Sequence, residues 1–112
     1  MNKQRRKELY AIEARLDMVT NGDKDNVELD EVKGILEGIK CDLESVLSDE
    51  EDYMYNIPEN LQNSSRYDAA EEACDNLESA IDNLDNAINS DDLDEIVEAI
   101  NEAISYVSDA SV

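Results

Sequence analysis

At 112 residues the chain is sized for one small domain, with 41% apolar residues, no Phe, no Trp, and five tyrosines supplying every ring. One Pro and three Gly leave little punctuation for a β-rich fold, so an all-α architecture is expected. The net charge of −21 is lopsided: residues 1–40 hold eight Lys and Arg against nine acids, and residues 41–112 hold twenty-one acids against Arg66 alone. Such a surface argues against direct binding of nucleic acid or of an anionic membrane, and towards a basic partner.

Other classes fall away on pattern. No run of roughly 18 apolar residues exists to span a membrane, and the basic start MNKQRRKELY leads into an amphipathic helix, not an apolar signal segment. Cys41 and Cys74 form no ligand or redox motif, and Cys74 reads as a small buried hydrophobe. A reducing, cytoplasmic setting fits.

Taken in order, the first helix is expected from about Lys3 to Val19, with Leu9, Ile12, Leu16 and Val19 on one face. Lys3, Arg5, Arg6 and Lys7 sit at its N-terminus, where the helix dipole disfavours cations. Either the chain's own acids offset this or the end is frayed and solvated. Residues 20–26, TNGDKDN, break the pattern. Gly22 suits a helix stop, and Asp25 or Asn26 can cap the next helix. An EF-hand reading fails, because counting from Asp23 puts Glu28 where Gly is needed and Gly34 where the bidentate Glu is needed.

The second helix is expected from about Val27 to Tyr55, on a seam of Leu29, Val32, Ile35/Leu36, Ile39, Leu43, Val46/Leu47 and Tyr53, interrupted by Glu50. Gly34 and Gly38 lie one turn apart, which allows either a close helix approach or a bend. Pro58 ends this helix, Ile57 and Leu61 plug the end of the seam, and Ser64 or Ser65 caps the third helix.

The third helix, about 65–89, carries Tyr67, Ala70, Cys74, Leu77, Ala80/Ile81, Leu84 and Ile88 in steps of three and four. The fourth, about 92–109, opens on an Asp92–Glu95 pair resembling a capping box and carries Leu93, Ile96/Val97, Ile100, Ala103/Ile104 and Val107. Short loops predict an antiparallel hairpin of helices two and three. A lone hairpin would leave its seam wet, so a small bundle closed by the flanking helices, or a homodimer, must cover it.

Tyr53 through Ala73, with Ile57-Pro58-Glu59-Asn60-Leu61-Gln62, then Ser65-Arg66-Tyr67 and Ala70/Ala73, resembles small acidic helical proteins of phage and prophage genomes. These pair a basic N-terminal helix start with a Pro-Glu-Asn-Leu-Gln hinge and an acidic helix. The hinge is the specific part, and this chain departs by breaking at residues 22–26, where the family has a more continuous helix. The resemblance implies a helical hairpin, a host bacterial cytoplasm and an anti-defence context of the anti-CRISPR or anti-restriction kind. It implies no mechanism.

An enzyme is hard to build from these residues. There is no His, no Gly-rich phosphate loop, and no Ser or Cys beside a plausible base. The carboxylate pairs Glu28/Glu31, Asp49/Asp52, Glu72/Asp75 and Asp92/Glu95 could hold magnesium, but thirty acids in 112 residues generate such pairs by chance. No catalytic residue, cofactor or metal ligand is therefore assigned.

The charge itself is the candidate. Asp68, Glu71, Glu72, Asp75, Glu78, Asp82 and Asp85 flank the seam of the third helix, and Asp91, Asp92, Asp94, Glu95 and Glu98 continue into the fourth. A helix optimised for stability would mix Glu with Lys at i, i+4, about 0.2–0.5 kcal/mol per pair, and these helices forgo every such pair. Seven carboxylates between Asp68 and Asp85 span about 25 Å of helix, roughly one per 3.6 Å, close to the ~3.4 Å spacing of phosphates along one DNA strand. The reading that follows is an inhibitor that imitates a phosphate backbone and occupies a basic nucleic-acid-binding host protein. The alternative is a coiled-coil assembly or scaffold protein whose acidic face is merely solvated.

Overall fold

The computed structural model describes residues 2–20, 28–58, 60 and 65–111. Asn2 opens α1 (Lys3–Thr20) by accepting a hydrogen bond from the Arg5 amide on its side-chain oxygen at 2.8 Å. This cap satisfies one of the orphan donors of the first turn. Leu9, Ile12 and Leu16 are buried on one side, as their spacing requires. The expected Gly22 stop and the Asp25 or Asn26 cap lie outside the described residues.

The second helix, α2 (Leu29–Tyr55), starts two residues later than the pattern predicts. Glu28 precedes it in an extended conformation and makes no side-chain cap, while Asp30 and Glu31 place negative charge in the first turn, where the dipole favours it. Its end is closed by Asn56 N–H to Asp52 O at 3.1 Å and Ile57 N–H to Met54 O at 3.2 Å, just before Pro58. Ile57 is buried as expected, 7% exposed. Leu61 and Ser64 lie outside the described residues, so the plug and the cap assigned to them do too.

Helices α3 (Ser65–Ile88) and α4 (Leu93–Ala110) are joined by a four-residue turn. The expected capping box forms differently. Asp92 Oδ1 accepts from the Asp94 amide at 2.9 Å, one position earlier than the box requires. Glu95 does not reach back to the Asp92 amide; it accepts from Ser90 Oγ at 2.9 Å, and Ser90 Oγ takes the Asp92 N–H at 3.2 Å. The serine hydroxyl relays between the two groups that a box would join directly.

Helices α2 and α3 form the expected antiparallel hairpin, and α1 and α4 fold back onto it. Each helix packs on two neighbours: α1 and α3 both pack on α2 and α4, and so stand on a diagonal of a four-helix bundle. The molecule is elongated, 55 × 22 × 18 Å, with one core drawn from all four helices: Leu9, Leu16, Leu36, Ile39, Leu43, Leu77, Leu84, Ile96, Ile100 and Val107 are fully buried. The most extensive contact is α3 on α4. Ala73, Ala80 and Ala87 on α3 and Ala103 and Ala110 on α4 are all buried.

Three seam positions differ from the periodic reading. Ile35 is 43% exposed, so Leu36 alone serves that turn. Met54 is buried and Tyr53 only half-buried. Glu50 does not interrupt the seam; it occupies it, at 0% exposure. Arg5 reaches it from α1, with Nε 2.6 Å from Oε2, and the same guanidinium lies 5.4 Å from the centre of the Tyr53 ring. The cationic start of α1 is thus tied into the bundle by a buried ion pair and a cation–π contact.

Candidate functional site

Six of the seven predicted α3 acids are exposed: Asp68, Glu71, Glu72, Asp75, Glu78 and Asp82. At 3.6 residues per turn they occupy an arc of about 120° on the side of α3 away from its buried alanines and leucines. Among the described residues none of the six forms an ion pair. Over the length from Asp68 to Asp82 they keep roughly one carboxylate per 3.5 Å.

The seventh is different. Asp85 is half-buried, and its carboxylate lies 2.5 Å from Lys40 Nζ of α2. The hydrogen bond to Asp85 outweighs the opposing effect of burial and, with the charges of Asp85 and Glu44, holds the Lys40 ammonium above its ordinary pKa. Asp91 likewise meets Lys33 of α2 at 3.0 Å. These two acids are paired with lysines of a neighbouring helix, and the absence of cations after Arg66 in helices three and four does not make the whole face unpaired. Asp92 is engaged as the α4 cap and Glu95 by Ser90.

Asp94, Glu95 and Glu98 are exposed on α4, on a separate ridge. The Lys40–Asp85 contact fixes α2 on one side of α3, so Ala80 and Ala87, about 140–160° around the helix from Asp85, face the α4 side. The α3 acids therefore lean towards α2, with half-buried Asn76 and Asn83 between them and α4.

The structure adds acids that the sequence reading did not assign to the site. The antiparallel register that sets Lys40 against Asp85 also sets Glu51 of α2 beside Cys74, and Glu44 lies 3.7 Å from Lys40. The α3 ridge thus gains Glu51 along its α2 edge, while Glu44, like Asp85, is paired with Lys40. Cys74, beneath this edge, is 5% exposed. Burial first, then the charges of Glu50, Glu51, Glu78 and Asp75, push its thiol up to about 12. Helix register was the missing signal, since nothing in the local pattern of α2 marks Glu51 as a neighbour of α3.

Among the described residues no three Asp, Glu or Cys side chains cluster closely enough to hold a metal ion, and no helix is long and apolar enough to cross a membrane. A groove of about 300 Å³ runs between α1 and α2, lined by Glu8, Ala11, Ile12, Arg15, Asp42 and Val46 among others. The Arg15–Asp42 ion pair at 2.5 Å joins the two helices at this groove. No family model, no curated protein and no solved structure matches the chain.

Proposed function

We propose that the chain is a phage-type inhibitor that binds a basic, nucleic-acid-binding protein of a bacterial host by presenting the α3 ridge in place of a phosphate backbone. Six exposed carboxylates without ion pairs among the described residues, held at nearly phosphate spacing on a packed helix, carry this reading. A rigid acidic helix spares the inhibitor the entropy of ordering on binding, and a dense field of one sign speeds association with a basic surface. The neutralised acids, Asp85, Asp91 and Glu44, fall outside the binding set, while Glu51 extends it. The likeness of the Pro58 hinge region to phage proteins suggests an anti-CRISPR or anti-restriction setting in the host cytoplasm.

The test is capture from bacterial lysate at low and high salt, followed by competition with DNA. The expected result is a basic nucleic-acid-binding protein released both by salt and by DNA. A captured partner that salt does not release, or that has no affinity for nucleic acid, would refute the mimicry. A second reading, a helical assembly protein, is favoured by the apolar side chains Tyr10 and Met18 left in solvent on α1, and predicts self-association without capture.

A further inference from the structure

The outward side of α1 is unlike the acidic ridges. Lys3, Lys7, Tyr10, Ala11, Ala14 and Met18 are all exposed, and at 3.6 residues per turn they share an arc of about 100°. Tyr10 is 55% and Met18 75% exposed. The acids of α1 stay out of this arc, with Asp17 at its border. Arg5 and Arg15 are committed to Glu50 and Asp42, so Lys3 and Lys7 are the cations this face offers. Because α1 stands diagonally from α3, the face is as remote from the acidic ridge as the bundle allows.

We propose that this face is the self-association surface, and that its occupant is α1 of a second copy, packed antiparallel across a twofold axis near the level of Ile12. The pattern is self-complementary in that orientation and in no parallel one. Lys7 meets the partner's Asp17, and by symmetry Asp17 meets the partner's Lys7. Tyr10 lies over the partner's Ala14, whose methyl leaves room for the ring, and Met18 closes each end. A twofold contact requires such reciprocal pairing of one patch with itself. An acidic segment of another protein would suit Lys3 and Lys7 but would be repelled by Asp17; a second copy suits both. Pairing through the least negative face also minimises the repulsion between two strongly acidic chains. Both α3 ridges then point outward at opposite ends of the dimer, free for a partner. The strip is short, so the contact is below the size of a permanent interface and association should be weak.

Sedimentation equilibrium from roughly 10 µM to 1 mM, at about 0.15 M salt to screen the net charge, tests it. The wild-type chain should dimerise. Lys7→Glu and Asp17→Lys should each weaken the dimer about tenfold, because each turns two attractions into repulsions. Combining them should restore association to within about threefold, since the pair is rebuilt in the opposite sense. Met18→Glu should leave the chain monomeric. All three positions are exposed, and unchanged helicity by circular dichroism confirms folding. A chain monomeric throughout the range would overturn the proposal, as would single charge reversals that leave the dimer intact or a double reversal that fails to recover it. If Lys7→Glu instead weakens capture of another protein by a monomeric chain, the face belongs to that protein and not to a second copy.

Discussion

Glu50 stands where the seam of α2 calls for an apolar side chain, and its partner Arg5 comes from 45 residues away. Removing Arg5 takes this ion pair away while leaving a buried carboxylate, whereas replacing both with apolar residues of similar size removes the desolvation cost along with the attraction. Arg5→Ala should therefore cost about 3–5 kcal/mol in urea unfolding, while Arg5→Met with Glu50→Leu should be neutral or more stable by about 1–4 kcal/mol. An Arg5→Ala protein that unfolds like wild type would show that this ion pair contributes nothing to stability. The two thiols separate as sharply. Cys41 is exposed and Cys74 buried, so a maleimide at pH 8 should label Cys41 at once and Cys74 only on unfolding. Because the folded state holds the Cys74 proton from its ordinary 9.0 up to about 12, the folded state binds more protons in that window. Stability should fall as pH rises through it, and the raised Lys40 acts in the same direction above its ordinary 10.5. Stability that climbs between pH 9 and 11 would contradict the Cys74 assignment. Cys74 was legible as a core residue from its place on the α3 seam. Glu50 was legible only as an interruption, since no local pattern points from α2 to the start of α1.

The helices themselves were readable because three–four spacing leaves one way to bury Leu9, Ile12 and Leu16 or Ile96, Ile100 and Val107. Their ends were less so. Asn2 was not foreseen as a cap, and Ser90 was not foreseen as a relay at α4, because a side chain outside a helix leaves no periodic trace. Whether α1 and α4 fold back or extend the hairpin depends on long-range packing, which spacing within a helix does not encode. Gly34 and Gly38 carried two readings, close approach or a bend. A methyl at Gly34 would meet nothing within 4 Å, and at Gly38 only Arg15 Nη2 at 4.0 Å, so no contact within the chain requires either glycine. Gly34→Ala and Gly38→Ala should each raise stability by about 0.5–1 kcal/mol through helix propensity alone. A loss at Gly34 would mean that a partner or a bend uses it. Leu77, at 0% exposure in the centre of α3, is the opposite case. Leu77→Asp buries an unpaired charge and should abolish the cooperative melt seen by circular dichroism; a folded variant of unchanged stability would mean that α3 packs by another face.

At the scale of the molecule, the four helices divide the charge. Cations from α1 and α2 are spent on Glu50, Asp42, Asp85 and Asp91, and the outer faces of α3 and α4 are left acidic. Composition announced the acidity but not this division, which arises from the helix register and from lysines reaching across it. Screening should stabilise a chain of net charge −21, so the melting temperature at pH 7 should rise with added NaCl; a fall would mean that the acids are stabilised by pairing. The same repulsion makes function separable from folding, because neutralising ridge acids removes repulsion and should leave the fold as stable or more so. The decisive measurement is displacement of DNA from the captured basic partner by the wild-type chain and by the Asp68→Asn, Glu72→Gln, Asp75→Asn variant, each titrated at low salt. The account predicts concentration-dependent displacement by wild type and at least roughly tenfold weaker displacement by the variant, with a melting temperature no lower. A variant that displaces DNA as well as wild type would show that the α3 ridge is a solvated surface and not a substitute for phosphates.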